Sequence, residues 1–158
     1  MNATSRFNLD AFAPPLPQDV SGTVVGDTTL VLLVVEGFLP TDALVQATFT
    51  AKLAKTDADG APGAVQVILL NDGSGGIAPV GTDGTRFLFS FPLTAAQSVT
   101  LETVHGYDVR VWLNRGGLTY ARTVQTGNFI APLGWTSRLH PVSGGLTNET
   151  GAILVQEA

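Results

Sequence analysis

Apolar and polar positions alternate along much of the chain with a period of two. From Tyr107, the residues Tyr107, Val109, Val111 and Leu113 fall on one side of an extended backbone, and Asp108, Arg110, Trp112 and Asn114 fall on the other. Asn114-Arg115-Gly116-Gly117 breaks the run, and its paired glycines can take the positive φ of a tight turn. Residues 118–126 are rich in Thr, Tyr and Val, which suit a pleated, half-buried surface. Gly127-Asn128 punctuates, Phe129-Ile130 resumes, and Pro132 stops the ladder. Residues 106–130 therefore predict a hairpin with an apolar inner row. Trp112 is the odd member of the polar row: either a second layer covers it or it belongs to a contact surface.

Other stretches read the same way. Residues 28–36, TTLVLLVVE, are apolar on both faces, as expected for a strand covered on both sides. Residues 45–55 alternate again, with Ala47, Phe49, Ala51 and Leu53 inward. TDADGAPG (56–63) reads as a loop, AVQVILL (64–70) as a strand and NDGSGG (71–76) as a loop tip. In residues 85–91, Phe87, Phe89 and Phe91 share one face. Residues 93–103 fit a short helical turn with Thr94 as N-cap, or a strand through Val99-Thr100-Leu101.

No strand–helix unit repeats, so the expected class is all-β, as an antiparallel two-sheet sandwich or a closed barrel. Ahead of it, residues 1–21 predict an extended arm. Pro14-Pro15-Leu16-Pro17 cannot be helical, and Phe7, Leu9 and Phe12 alternate loosely with polar residues. That arm docks on a neighbouring subunit or on its own domain, or it frays. Residues 22–136 form the expected domain. Residues 137–158 form a tail in which AILVQ (152–156) is apolar enough for a terminal strand.

The chain has 158 residues, enough for one domain with a real core. Charged residues make up 13%, about half the usual share. A free monomer normally carries more, so part of the surface is expected to lie against other subunits. The net charge is −5 and the eight Lys and Arg are scattered, which argues against a nucleic-acid partner. Cysteine is absent, removing disulfides and thiolate metal sites. The N-terminus has no basic stretch leading into an apolar core, so no secretory signal is expected. The longest apolar run, residues 30–35, is too short to span a membrane as a helix.

Chemistry is sparse. Asp57-Ala58-Asp59-Gly60 has the alternating acids of a calcium loop without the downstream Glu, and Asp in such a stretch usually shapes a turn. NDGSGG lacks the Lys-Ser/Thr of a phosphate loop. His105 and His140 show no zinc spacing, and no G-x-S-x-G is present. Glu102 and Asp108 are the acids that a fold could pair. Asn2-Ala3-Thr4 and Asn148-Glu149-Thr150 match the glycosylation pattern but lack a secretory context. No cofactor, metal or catalytic residue is expected.

The order of several short motifs resembles a family of immunoglobulin-like virion proteins of tailed phages, similar to the N-terminal domain of upper baseplate proteins. They are Thr48-Phe49-Thr50-Ala51-Lys52, Thr56-Asp57-Ala58-Asp59, Gly106-Tyr107-Asp108-Val109-Arg110-Val111, Gly127-Asn128-Phe129-Ile130 and Trp135-Thr136. The glycine-rich stretch 71–84 and the proline-rich arm fall outside the pattern, and Gly106 directly adjoins Tyr107 where the family has a residue or two between. The resemblance implies an immunoglobulin-like antiparallel β-sandwich without enzymatic activity, located in the virion as a head-decoration, neck or baseplate component. Its partners would be major capsid, neck or tail subunits and copies of itself, a trimer for instance. The residues expected at interfaces are Phe7, Leu9, Phe12, Trp112, Trp135, Ile153, Leu154 and Val155. The alternative is a carbohydrate-binding module or adhesin presenting Trp112, Trp135 and Tyr120; a third reading is a hydrolase assembled from distant residues.

Overall fold

The computed structural model describes residues 4–9, 17–21 and 23–132, with the backbone alone for residues 4–8. The strands are β1 (Thr4–Asn8), β2 (Thr29–Glu36), β3 (Ala43–Lys52), β4 (Val65–Leu70), β5 (Ile77–Pro79), β6 (Arg86–Leu93), β7 (His105–Arg115) and β8 (Leu118–Phe129), and one helix, α1 (Ala95–Thr100), links β6 to β7. They form two four-stranded sheets: sheet 1 in the order β1-β2-β6-β5 and sheet 2 in the order β4-β3-β7-β8. All pairings are antiparallel except β1 with β2. Two separate sheets exclude the closed barrel. With β2-β6-β5 as B-E-D and β4-β3-β7-β8 as C′-C-F-G, this is the strand order of an immunoglobulin-like sandwich.

The inner faces follow the alternation. Val31, Leu33 and Val35 of β2, Phe89, Phe91 and Leu93 of β6, Ala47, Phe49 and Ala51 of β3, and Tyr107, Val109, Val111 and Leu113 of β7 are all buried. Phe49 sits at the centre: its ring lies 5.6 Å from Tyr107, 5.9 Å from Phe129 and 6.0 Å from Phe91. Tyr107 and Phe129 flank it within sheet 2, and Phe91 meets it from sheet 1, so in a chain without cysteine the Phe49–Phe91 contact joins the two sheets. Phe87 is only half-buried and meets Phe38 edge-on at 5.0 Å. The helix alternative for residues 93–103 is the one formed. The Thr94 side chain accepts from the Gln97 N–H, and the Gln97 side chain accepts from the Thr94 N–H, a complete capping box.

Several expectations need correction. Leu53 does not face inward; β3 ends at Lys52, and Leu53 is 58% exposed over Gly63. Residues 77–79, inside the glycine-rich stretch, pair with β6 as a short edge strand. Gly127-Asn128 does not interrupt β8. The register shifts at Val109/Arg110, where Gln125 and Thr123 face them and Val124 is left as a bulge. The bulge reverses the parity of the strand, so that Val124, Gln125 and Phe129 all turn inward. Gly127 is glycine for a different reason: a Cβ there would overlap the Gln18 backbone.

That close approach belongs to the N-terminal segment, which borders both sheets. β1 runs parallel to β2, and the Leu9 N–H donates to Glu36 O at 2.7 Å. Further along, the Gln18 N–H donates to Thr126 O (2.7 Å), the Val20 N–H to Asn128 O (2.9 Å), and the Ile130 N–H to Val20 O (2.8 Å). The Tyr107 hydroxyl donates to Gln18 O at 2.7 Å and accepts from the Gln125 side chain. Burial pushes the Tyr107 phenol above its usual range, keeping it a donor.

Candidate interaction surface

The residues expected at interfaces are not brought together. Leu9 is a correction: it is 1% exposed and sits in the chain's own core, so it offers nothing to a neighbour. Phe7 lies on β1, whose side chains are not described, and Phe12, Trp135, Ile153, Leu154 and Val155 fall outside the described residues. Trp112 is half-buried on the outer face of sheet 2, with the Arg110 guanidinium 5.9 Å from its ring centre. Tyr120 pairs with the inward-facing Leu113, so it lies on the opposite side of the sheet from Trp112, beneath Arg115 at 5.1 Å. Those two rings cannot stack on one sugar together.

The candidate chemistry is absorbed locally. Asp57 accepts the Ala54 N–H at 3.0 Å, and Lys52 donates to Asp57 O at 2.8 Å and pairs with Asp59 at 2.5 Å. The DAD stretch is therefore a turn stapled to β3. Lys52 holds the Asp59 carboxyl below its usual range. Asp72 and Asp83 are lowered by hydrogen bonds from Ser74 and Thr85 in their own turns. His105 is 1% exposed, with Nδ1 2.7 Å from Thr103 O and Nε2 2.9 Å from Gly63 O, bracing two loops. Asp108 is raised by burial, and the charges acting on it are Arg110, Asp59 and Lys52; Glu102 is not among them. At the other end of the sandwich, Asp42 accepts from Arg115 Nε (2.9 Å) and Nη2 (2.7 Å) and from the Leu39 N–H (2.8 Å). Arg115 holds that carboxyl below its usual range and ties the β7–β8 turn to the β2–β3 loop. A shallow depression of about 410 Å³ lies between α1 and residues 59–66, lined by Asp59, Gln66, Gln97 and Thr100.

What the fold does assemble is a surface. On the outer face of sheet 1, the paired rows are Leu30–Pro92, Leu32–Ser90 and Val34–Leu88, with Ala78 beside Leu88. Leu30 is 45% exposed, Pro92 is exposed, Leu32 and Leu88 are half-buried, and Val34 is 9% exposed. The strand expected to be covered on both sides is buried on its inner face, and its outer face runs from open at Leu30 to closed at Val34. Charge enters this face only at its far end, where Glu36 stands opposite Arg86; this holds for the strands whose side chains are described. The sequence signal was the two-sided apolar run of residues 28–36, not any single aromatic.

No protein-family model matches the chain, and no curated protein matches it. Among solved structures, the chain is similar to the N-terminal domain of phage TP901-1 ORF48, at 11% identity and a TM-score of 0.39 over 82% of this chain and 99% of that one.

Proposed function

We propose that this domain is a non-catalytic structural part of a bacteriophage particle, a β-sandwich that assembles with other virion subunits as a head-decoration, neck or baseplate component. One observation carries the assembly reading: a sheet face whose central strands β2 and β6 present three successive uncharged rows with part-exposed leucines. Such a face is costly to leave in water and gains by being covered with protein, at about 25 cal/mol per Å² of apolar surface. The 13% share of charged residues supports the same reading. The phage assignment is supported by the order of sequence motifs given above.

A contact centred on the uncharged rows of β2 and β6 gives a particular salt response, because screening weakens charge pairs and leaves apolar contacts intact. Particles containing the chain should keep it through washing in about 1 M NaCl, where the Debye length is about 3 Å. Its quantitative loss under those conditions, or its absence from purified particles by mass spectrometry, would refute the proposal.

A further inference from the structure

The partner of the sheet 1 face can be read from its symmetry. We infer that this face is self-complementary and binds a second copy of the chain across a twofold axis running along the strands between β2 and β6. This inference rests on the assembly reading above. The sheet order β1-β2-β6-β5 places β2 and β6 at the centre with one edge strand on each side. Rotation about an axis between the central strands lays β2 of one copy over β6 of the other. Leu30 then meets the partner's Pro92, Leu32 the partner's Ser90, and Val34 the partner's Leu88.

The charges decide between this arrangement and its alternatives. Glu36 and Arg86 are directly paired across β2 and β6 and point to the same side as Leu30 and Leu88. The same rotation sets each copy's Glu36 over the partner's Arg86, giving two cross-copy contacts of opposite sign at one end of the interface. Asp83 also acts on the Arg86 environment within each copy, so the pair sits at a polar rim, where charge fixes register more than it adds affinity. A head-to-tail face-to-face arrangement would set Glu36 and Arg86 against the Leu30–Pro92 row and give none of the four charges an opposite charge on the other copy. Two copies of a chain with net charge −5 repel overall, and a face with its excess charge elsewhere is where they can meet.

The area sets the strength. Two central strands of eight residues, flanked by strands of five and three, at about 3.3 Å per residue and about 4.8 Å between strands, give a face of roughly 400 Å². Two such faces bury about 800 Å², the size of a weak, transient contact, so the dimer should be concentration-dependent, with Kd on the order of 100 µM.

Sedimentation equilibrium on the full chain, from about 1 to about 500 µM, tests this. The wild type should pass from monomer to dimer across that range. Leu30→Asp should raise Kd more than tenfold, and Ile68→Asp, on the outer face of sheet 2, should leave it unchanged. Glu36→Arg should weaken the dimer, and Glu36→Arg with Arg86→Glu should recover most of the loss. Far-ultraviolet circular dichroism checks each fold; should the double swap fail to fold, the contrast between Leu30→Asp and Ile68→Asp still decides. A wild type monomeric at about 500 µM, or a dimer broken by Ile68→Asp and not by Leu30→Asp, would overturn the inference. A folded double swap no better than Glu36→Arg alone would overturn it too. A chain that stays monomeric in the centrifuge yet remains in salt-washed particles would sink the dimer and leave the assembly reading standing.

Discussion

On the outer face of sheet 2, polar side chains of the central strands meet one another, and exposed apolar side chains lie on the edge strand β4, where Ile68 is 52% and Leu70 49% exposed. Arg110 reaches over Trp112, Lys52 pairs with Asp59, and the Gln66 side chain donates to Thr50 at 3.1 Å. Thr48 is 4% exposed among these side chains. On the outer face of sheet 1, the corresponding rows join Leu30 to Pro92, Leu32 to Ser90 and Val34 to Leu88, and the described side chains make no such cross-strand polar pair. Both faces back onto the same aromatic core, so their inner halves obey one rule. Only the outer halves differ. The central strands of sheet 2 turn outward side chains that bond each other or the solvent, whereas those of sheet 1 turn outward leucine and valine, which gain from a covering layer.

Two substitutions on the sheet 2 face sharpen that contrast. Trp112→Ala should cost about 1–2 kcal/mol in denaturant unfolding, through lost half-buried apolar area and the Arg110 contact. It should leave self-association unchanged; a change in association would move the interface to the wrong sheet. Asp108→Asn is the smaller effect and has a sign. The folded-state pKa of Asp108 is raised, chiefly by burial, so its charged form opposes folding at neutral pH. The penalty is present above the folded pKa and is relieved as pH falls through it toward the unfolded value of 3.8. Asp108→Asn should therefore raise the melting temperature at pH 7 and bring little gain at pH 3.5. Equal gains at both pH values would show that charge burial is not the cause.

Much of the fold was legible because it is local. The alternation through residues 107–113 and the Thr94–Gln97 capping box depend only on near neighbours in sequence. What was not legible depends on distant partners. The Val124 bulge is defined by β7, Leu9 is buried by strands that follow it in the chain, and Gly127 accommodates a backbone 109 positions away, at Gln18. The short β5 has too few residues to show a period and exists only by pairing with β6. The candidate surface was half-legible. The two-sided apolar run of residues 28–36 marked it, yet alternation alone cannot tell whether the second layer comes from the same chain or another. Trp112 drew the eye to the face whose central strands already pair their polar side chains.

The claim at the centre is that the outer face of sheet 1 is covered by protein in the assembled state. A photo-activated benzophenone side chain at position 30, compared with one at position 68, tests it in intact particles. Covalent adducts to protein from position 30, with position 68 reacting only with solvent, are the predicted result. Adducts from position 68 with none from position 30 would contradict it.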